Sequence, residues 1–338
     1  MKNQQIVFTA PGKAELLDRP IPEVAPGKVL VRLSRSTISS GTERANIAGE
    51  PNVSREITDG KAHFPRYTGY SSAGVVVAVG EGVTVAKPGD RVALSWSVHS
   101  HYTCVTEENV HPMPEGVSFA DAALVHIGVF PMAAIRKCAL EVGESAIVMG
   151  VGVLGMIAIK LLRLAGAVPL IAADPDEKKR ALALSLGADY ALDPTAPGFA
   201  EEVKRLSHGG IRVAIEVTGV GAALNQVLDC MQPFGRVALL GCTRHSNFEV
   251  DYYHKVHGPG ISLIGAHTLA RPTKESSHGL WTTHDDCMAL LRLIKGGRLS
   301  LADMVSETHK PEEAPGIYTR LLTEKTFPVV QFDWSDEA

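Results

Sequence analysis

Three glycines in one short stretch constrain the fold of this chain more than any other feature. Gly150, Gly152 and Gly155 follow the apolar run Ala146–Met149, and the apolar segment 156–165 comes directly after them. The short run before the glycines is typical of a buried parallel strand, and the longer segment after them predicts a helix. In such a strand–turn–helix the first glycine permits the tight turn, the second leaves room for a pyrophosphate, and the third lets the helix pack against the sheet.

The residues that follow complete a dinucleotide-binding pattern. The run 168–173 predicts a second strand, and it ends at Asp174. That acid lies about twenty residues beyond the last glycine, where the fingerprint needs a carboxylate for the ribose hydroxyls. The alternative is a glycine-rich turn in an α/β protein that binds no nucleotide. The complete context favours a dinucleotide.

Length, charge and cysteine usage limit the classes of protein that this chain can be. Its 338 residues are enough for two domains, and a net charge of −4 argues against nucleic acid or an acidic membrane as the main partner. No apolar run is long enough to cross a bilayer, and the first residues lack the apolar core of a signal peptide. The 5 cysteines form no C-x-x-C pair, which indicates a reducing compartment. We therefore expect a cytoplasmic protein without a disulfide framework.

The pattern of apolar residues changes along the chain. Up to about residue 125 it predicts short strands separated by Pro-Gly turns, at 5–9, 29–36, 73–79 and 91–94. From 146 to about 265, predicted strands alternate with helices, which is the signature of a parallel sheet covered on both faces. The predicted strands there are 146–149, 168–173, 213–217, 235–240 and 261–264, and the predicted helices are 152–165, 176–186 and 221–231. The last part has one predicted helix, 285–295, and a β-like 327–332, which suggests that the tail completes the first domain.

Several short motifs occur in a specific order along the chain. They are Ala25-Pro-Gly-Lys-Val-Leu-Val, Gly69 with Ala73-Gly-Val-Val-Val-Ala-Val-Gly80, Lys87-Pro-Gly-Asp-Arg-Val, the glycine loop, Glu216-Val-Thr-Gly and Gly235-Arg-Val-Ala-Leu-Leu-Gly241. Together they resemble the medium-chain dehydrogenase/reductase superfamily over essentially the whole chain. The resemblance implies an α/β protein with a GroES-like β-rich catalytic domain, residues 1–126 completed by 265–338. It also implies a Rossmann domain, a doubly wound parallel sheet, at 127–264.

The resemblance also implies an activity and a cofactor site. Such enzymes move a hydride between a nicotinamide cofactor and an alcohol–carbonyl pair or an activated double bond. Asp174 favours NAD, because a carboxylate repels the 2′-phosphate of NADP. Lys178 and Arg180 leave NADP use open, unless they only form a solvated helix face. The residues that the resemblance assigns to the cofactor are Gly150, Gly152, Val153, Leu154, Gly155, Asp174, Lys179, Thr218, Gly241 and Ile264.

The resemblance fails at the family's catalytic zinc. Zinc-dependent members use a cysteine in a G-I-C-G-S-D loop, then a G-H-E motif, then a third ligand. Here Ser39 falls on the cysteine, and Tyr70 and Ser71 replace the histidine and the glutamate. Neutral hydroxyls are poor zinc ligands, and the four-cysteine lobe for a structural zinc is missing, so we expect a zinc-free site. The alternative is a rebuilt metal site, for which the candidate ligands are Glu43, His99, His101 and His126.

Without a Lewis acid, hydrogen-bond donors have to stabilise the developing oxyanion. The resemblance puts Tyr70 near the reacting carbon, where its hydroxyl can donate to the carbonyl oxygen; alternatively, its ring only fills the vacated metal pocket. The facing loop contributes candidates for orienting substrate or relaying a proton: Ser39, Ser40, Thr42 and Glu43.

A second group of candidates follows the last strand of the predicted Rossmann domain. In the family, Ile264-Gly265 lies where a strand edge meets the nicotinamide ring, which places His267, and with less weight His257, near the cleft. Histidine is a suitable acid or base near neutral pH, although a single histidine after a strand is more often structural. The polar loop 271–285 suits a polyhydroxylated or anionic substrate, or an exposed dimer contact.

Three functions are consistent with these features. The first is a metal-independent NAD(H)-linked alcohol, polyol or sugar dehydrogenase. The others are a quinone- or enoyl-reductase-like NADPH enzyme and a nucleotide-binding module without catalysis. The Ser-Ser-Gly-Thr-Glu and Ile-Gly-Ala-His segments resemble a subgroup around bacteriochlorophyllide-type and sugar dehydrogenases. Aromatic residues are only 6% of the chain, which favours a small polar substrate over a tetrapyrrole. Family habit predicts a homo-oligomer, a dimer or a tetramer.

Overall fold

The chain divides into two compact units. The computed structural model describes residues 3–50, 63–243 and 246–335. One unit comprises Met1–Ile127 with Cys287–Ala338, and the other comprises Gly128–Asp286. The sequence predicts that the Rossmann domain ends at residue 264, whereas the second compact unit ends at Asp286. Residues 265–286 belong to the second unit because Lys137 donates to the carbonyl of Gly265 and Arg271 donates to that of Val129.

The elements of the first unit are mostly short strands. In chain order they are β1 (Gln4–Ala10), β2 (Lys13–Asp18), β3 (Lys28–Thr37), α1 (Ser40–Ala48), β4 (Arg66–Tyr67), β5 (Ser71–Val79), β6 (Arg91–Ser95), β7 (Tyr102–Thr106), β8 (Val110–Pro112) and α2 (Phe119–Ala122). The helix α3 (Val125–Lys137) then leads into the second unit. The four strands predicted from the sequence in this region are confirmed as β1, β3, β5 and β6.

The second unit alternates strands and helices. Its elements are β9 (Ala146–Met149), α4 (Val153–Leu164), β10 (Leu170–Ala173), α5 (Glu177–Ser185), β11 (Tyr190–Leu192), α6 (Phe199–Leu206), β12 (Ile211–Glu216), α7 (Gly221–Cys230), β13 (Met231–Leu239) and β14 (Ser262–Gly265). The helix α8 (Thr283–Lys295) leads back, and the chain ends with β15 (Glu307–His309), α9 (Ala314–Thr323) and β16 (Val330–Asp333).

The sheet of the second unit is parallel throughout. Its order is β11-β10-β9-β12-β13-β14, the doubly wound order in which ligands bind at the carboxyl ends of the strands. β9 and β10 are buried along their whole length, as apolar runs in a parallel sheet should be. The sheet is therefore the Rossmann arrangement that the sequence predicts.

The first unit is mostly antiparallel, with one parallel pair between β15 and β16, and the tail completes it. Its larger sheet has the order β15-β16-β3-β5-β6-β8, with β7 also paired to β3, and a smaller sheet has the order β2-β1-β4. β16 pairs with β3 so that Gln331 lies opposite Thr37 and Phe332 opposite Ser36. The core of this unit includes Phe8, Tyr318 and Phe332, so α9 and β16 contribute to the same core as β1.

Three helices differ from the sequence expectation. The segment that the resemblance treats as a catalytic loop is largely the helix α1. The helix α3 contains Pro131 in its interior, which weakens its helical sequence signal. The helix α9 is not among the predicted helices, although the proline in its first turn suits a helix start. The predicted helix 285–295 is confirmed, with an earlier start at Thr283. Among the described residues, no helix is long and apolar enough to cross a membrane.

Candidate dinucleotide site and candidate acid–base site

The three glycines of the loop in the second unit differ in what a side chain at each position would meet. Gly150 has φ +101°, and a Cβ there would lie 2.8 Å from Cγ2 of Thr218. A Cβ on Gly155 would lie 1.9 Å from the carbonyl oxygen of Gly150, so only glycine lets α4 approach the turn. Gly152 has φ −83°, and no atom lies within 4 Å of its ideal Cβ position. No neighbouring group in the described chain therefore requires a glycine at 152, and the open space suits an approaching ligand.

The amino end of α4 is prepared for an anion. Gly152 is the N-cap residue, and no side chain caps the helix. The first backbone N–H groups of a helix lack partners within the helix, and together with the helix dipole they attract negative charge. Gly152, Val153 and Leu154, which the sequence predicts to bind a pyrophosphate, lie at this end of the helix and could hold one.

Asp174 lies at the carboxyl end of β10, beside this loop. It is 6% exposed, and its two carboxylate oxygens accept hydrogen bonds from the backbone N–H groups of Val151 (2.8 Å) and Asp176 (2.9 Å). Lys179 Nζ lies 3.9 Å from the Asp174 carboxylate. These contacts hold the acid against the glycine loop and keep a cation next to it, where the ribose of a dinucleotide would bind.

The remaining cofactor candidates surround the carboxyl ends of neighbouring strands. Thr218 follows β12 and donates its backbone N–H to the buried Glu216 carboxylate at 2.7 Å. Burial raises the pKa of Glu216, against the effect of hydrogen bonds from Thr218 and Gly219. A Cβ on Gly241 would lie 2.2 Å from Gly219 N, so the ends of β12 and β13 approach closely. Ile264, on β14, pairs with Ala238 of β13.

The first unit brings Ser39 and Tyr70 together. Tyr70 precedes β5, Ser39 is the N-cap residue of α1, and the Tyr70 hydroxyl donates a hydrogen bond to Oγ of Ser39. The Tyr70 ring also contacts the rings of Trp96 and His126, with centroids 5.8 and 5.5 Å away. The phenol is therefore held at its hydroxyl and along its ring, and it remains half-buried.

Glu43 lies on the buried side of Ser39. Its side chain is fully buried, and its carboxylate accepts hydrogen bonds from Ser39 N–H at 2.9 Å and from the Tyr318 hydroxyl at 2.5 Å. Nε2 of His99 lies 3.2 Å away. Burial, and then the Glu43 charge, raise the pKa of Tyr318 well above its usual value, so Tyr318 stays a donor. The Glu43 carboxylate thus contacts the backbone N–H of Ser39 in the interior of the first unit.

The other predicted site residues have separate surroundings. Thr42 is half-buried in the first turn of α1, next to Glu43. His267 is exposed in a turn of the second unit, where its Nδ1 accepts a hydrogen bond from Leu269 N–H at 3.2 Å. His99 and His101 contact Phe332 and Trp334, with ring centroids 5.4 and 5.1 Å apart, so both face the C-terminal strand.

Sequence reasoning missed a buried chain of polar groups behind His126. Its Nδ1 lies 2.9 Å from Oγ of Ser95, and Nε2 of His111 lies 2.8 Å from the same oxygen. A hydroxyl between two imidazoles can donate to one and accept from the other, so this chain fixes the ring of His126. His111 carries no sequence signal of its own, because it becomes a neighbour of His126 only through the pairing of β6 with β8.

The residues at the family's metal positions do not fit zinc. The hydroxyl of Tyr70 is bonded to Ser39, and Ser71 donates its hydroxyl to the carbonyl of Ala123 at 2.7 Å. Hydroxyls engaged in this way supply neither the thiolate nor the imidazole that zinc prefers. In the part of the chain that the structure describes, no three His, Cys, Asp or Glu side chains are arranged to hold a metal ion.

Comparisons with known proteins agree with both units. Residues 25–135 match the alcohol dehydrogenase GroES-like domain, and residues 153–278 match the zinc-binding dehydrogenase family. The L-threonine 3-dehydrogenase of Pyrococcus horikoshii is 25% identical, over 90% of this chain and 91% of that protein. The D-guloside 3-dehydrogenase of Shigella flexneri is 24% identical, over 94% of this chain and 96% of that protein.

A solved structure resembles this chain over nearly its full length. A zinc-binding dehydrogenase of Sinorhizobium meliloti, bound to NADP, superimposes with a TM-score of 0.81 at 19% identity, over 98% of this chain and 99% of that one. At this identity the likeness concerns the fold. The two matched domains, the glycine loop and the Rossmann sheet together show that this chain belongs to the medium-chain dehydrogenase/reductase superfamily of NAD(P)-binding oxidoreductases.

Proposed function

We propose that this protein is an NAD(H)-linked dehydrogenase that interconverts a secondary alcohol of a sugar, polyol or related hydroxy compound with its carbonyl, without a catalytic zinc. The observation that supports the proposal is the hydrogen-bonded pair of Tyr70 and Ser39, two residues that the sequence resemblance aligns with zinc ligands of the family. A phenol in that place offers a hydrogen-bond donor instead of a Lewis acid. Membership of the superfamily supports an oxidation–reduction reaction.

In this proposal the chain's own residues handle the proton and the charge on oxygen, while the nicotinamide, when bound, accepts or returns the hydride. When substrate binds, the Tyr70 hydroxyl turns its proton from Ser39 Oγ to the substrate oxygen and stabilises the negative charge there as the carbonyl is reduced. The Ser39 hydroxyl then donates to the phenol oxygen, so Ser39 still holds the phenol in place. Placed donors of this kind typically contribute about 10²–10⁴-fold to a rate.

The preference for NAD rests on Asp174. Its carboxylate is held beside the glycine loop, and it would repel a 2′-phosphate while accepting hydrogen bonds from ribose hydroxyls. The flanking cation Arg180 is occupied, since it donates to the carbonyl oxygens of Asp174 and Pro175 at 2.9 and 2.8 Å. A 2′-phosphate would have to compete with these carbonyls for the guanidinium.

The substrate class rests on the relatives and on the polar site. The names of two relatives specify L-threonine and a D-guloside, both of which carry several polar groups. In this chain Ser39, Tyr70 and Thr42 offer hydroxyls of the kind that recognise a polyhydroxylated molecule. A site with buried polar groups discriminates strongly against substrates that lack the matching hydroxyl.

The test is a substrate and cofactor panel with the purified protein. Sugars, glycosides and polyols are incubated with NAD⁺ or NADP⁺, and quinones and enones with NADH or NADPH, while the absorbance of the reduced cofactor is followed. We expect turnover of a hydroxy compound with NAD⁺. Turnover confined to enones or quinones with NADPH would favour a reductase, and tight NADH binding without any turnover would indicate a non-catalytic module.

Metal analysis tests the zinc-free part separately. The protein as purified is assayed for zinc, and its activity is measured before and after dialysis against a chelator. We expect substoichiometric zinc and unchanged activity. Stoichiometric zinc that is lost together with activity would overturn this part of the proposal.

A further inference from the structure

The buried carboxylate of Glu43 has no contact with bulk solvent and is surrounded by donors. Its partners are Ser39 N–H at 2.9 Å, the Tyr318 hydroxyl at 2.5 Å and His99 Nε2 at 3.2 Å. A buried charge is costly unless hydrogen bonds compensate it. Three donors around one carboxylate supply that compensation and fix the orientation of the side chain.

One tautomer of His99 satisfies the contacts on both sides of its ring. Trp334 can only donate, and its Nε1–H is bonded to Oγ of Ser36 at 2.7 Å. The Ser36 hydroxyl can then donate to Nδ1 of His99, which is also 2.7 Å away. With the ring proton on Nε2, His99 donates to Glu43. In this arrangement the three hydrogen-bond partners of Glu43 all donate to its carboxylate.

The network joins parts of the chain that are remote in sequence. Glu43 is on α1, Tyr318 on α9 and Ser36 on β3, while Trp334 follows β16. Each of these side chains is fully or almost fully buried. These buried contacts therefore anchor the amino end of α1, at Ser39, to the core of the first unit.

We propose that Glu43 is a positioning residue for Tyr70. By accepting the backbone N–H of Ser39, it holds the Ser39 hydroxyl in place as the hydrogen-bond partner of the Tyr70 phenol. This inference rests on the proposed function, in which Tyr70 faces the substrate oxygen. Glu43 itself is too deeply buried to touch substrate, so it acts only through Ser39. A misplacement of about 1 Å in a catalytic group can cost about 10²-fold in rate.

The test is a double-mutant cycle with Glu43→Gln, Tyr70→Phe and the combined variant. Glutamine keeps the volume but turns one acceptor oxygen into a donor, which opposes one of the three donor groups around it. With the substrate found in the panel, we expect Glu43→Gln to lower kcat about 10-fold and to leave the KM for the cofactor unchanged. In the Tyr70→Phe background, the same change should alter kcat less than about 2-fold. An equal loss of kcat in both backgrounds, or an effect on the cofactor KM alone, would overturn the inference.

A matched control separates positioning from loss of stability. Thr37 is a buried residue close in sequence, whose hydroxyl donates to the carbonyl of Ala123 at 2.8 Å and accepts from Gln331 at 3.0 Å. Thr37→Val removes buried hydrogen bonds that do not lead to Ser39. We expect this variant to lose thermal stability and to keep its kcat. If it loses as much kcat as Glu43→Gln, general destabilisation explains both, and the inference fails.

The same four proteins give a readout that needs no substrate. If Glu43 and Tyr70 are linked through Ser39, the Tm loss of the double variant should be smaller than the sum of the single losses, because the second change breaks a contact already weakened. Additive Tm losses would mean that the two residues are independent, and would refute the inference even where turnover is found. Coupled Tm losses without turnover in any panel would instead refute the proposed function.

Discussion

At the scale of single residues, the proposed chemistry depends on the phenolic hydroxyl of Tyr70. The hydroxyl is bonded to Ser39, and the ring is held by Trp96 and His126, so the phenol oxygen is placed before substrate binds. Only the O–H bond has to rotate towards the substrate oxygen, and a donor placed in this way needs little reorganisation as charge develops.

Tyr70→Phe removes the donor and leaves the ring. We expect kcat to fall about 10²-fold or more, with little change in the cofactor KM, because a positioned donor contributes on this scale. The measurement is steady-state kinetics with the substrate identified in the panel. Tyr67→Phe is the matched control, since Tyr67 is 51% exposed on β4 and its substitution should leave kcat unchanged. Equal activities of the two variants would exclude Tyr70 as the donor.

A second residue, Asp174, should determine which dinucleotide is preferred. Asp174→Asn keeps an acceptor for the backbone N–H of Val151 and removes the charge that repels a 2′-phosphate. We expect the ratio of kcat/KM for NAD over that for NADP to fall about 10-fold, a change of about 1.4 kcal/mol. If NADP remains as poor a cofactor as before, the specificity comes from other residues.

At the scale of elements, the turn from β9 into α4 separates glycines that the fold needs from one that a ligand needs. Gly155 cannot carry a Cβ because the carbonyl of Gly150 would be 1.9 Å away, whereas the Cβ position of Gly152 is open. The first requirement belongs to packing within the second unit, and the second belongs to the space in front of the helix.

Gly152→Ala and Gly155→Ala should therefore have opposite effects. We expect Gly152→Ala to keep its Tm within about 2 °C and to lose cofactor affinity about 10-fold, because its φ of −83° suits alanine and only a ligand meets the new methyl. Gly155→Ala should lower the Tm by several degrees, because a backbone oxygen has to move. Calorimetry and fluorescence titration with NADH measure the two effects. A Gly152→Ala protein that binds NADH normally would show that the pyrophosphate lies elsewhere.

Another element-scale feature joins β15 to α9. Arg320 binds both oxygens of Glu307, at 2.7 and 3.0 Å, and His309 lies 2.8 Å from Glu307 and from Glu313. The hydrogen bonds from Arg320 and His309 lower the pKa of Glu307 to about 2. Burial lowers the pKa of His309, but the hydrogen bonds to Glu307 and Glu313 outweigh it and raise the pKa.

This cluster should make stability depend on pH in a specific window. Because the pKa of Glu307 is depressed in the folded state, its contribution is complete above its ordinary value of 4.5 and is lost as the pH falls towards about 2. His309 also stabilises the fold, but its contribution depends on pH in the opposite direction: it is present at low pH and is lost as the pH rises through the raised pKa of His309. Glu307→Gln should thus lower the Tm at pH 5–6, roughly between the ordinary Glu and His values.

Thermal unfolding from pH 2 to 8 measures this effect. The difference between wild type and Glu307→Gln should shrink towards the acid end, where the wild-type carboxyl is itself protonated. Glu312→Gln, an exposed substitution nearby, is the control and should show no such dependence. A Tm difference that stays constant from pH 2 to 8 would show that ionisation of Glu307 does not cause the pH dependence of stability.

At the scale of the whole molecule, each unit has its own hydrophobic core, and the dinucleotide candidates at the glycine loop all belong to Gly128–Asp286. A ligand stabilises the folded state to which it binds, by about 2.7 kcal/mol at a concentration 100 times its Kd. NADH should therefore raise the unfolding temperature of the second unit directly.

Hydrogen exchange with and without NADH localises this effect. We expect the largest gain in protection at the amino end of α4 and at the carboxyl ends of β10 and β12, where the candidate cofactor residues lie. Protection confined to residues of the first unit would contradict the assignment of the cofactor site. NAD⁺ and NADPH, compared in the same way, would report the cofactor preference without any substrate.

The sequence by itself determined the parts of this protein that depend on neighbours along the chain. The glycine loop, Asp174 and the alternation of strands and helices lie within one continuous βαβ segment, where spacing and hydrophobic period decide the geometry. The sequence also predicts that Ser39, Tyr70 and Ser71 occupy the family's zinc-ligand positions, because that prediction needs only the order of the motifs.

Only the tertiary structure decided how the acid–base half of the site is supported. The partners of Glu43 are His99 and Tyr318, 56 and 275 positions away, and Trp334 is 298 positions from Ser36. No local pattern marks such pairs, because β16 and α9 return to the first unit only after the second has been completed. A buried carboxylate selects its donors by their position in the folded core, and that position is set by packing across the whole unit rather than by spacing along the chain.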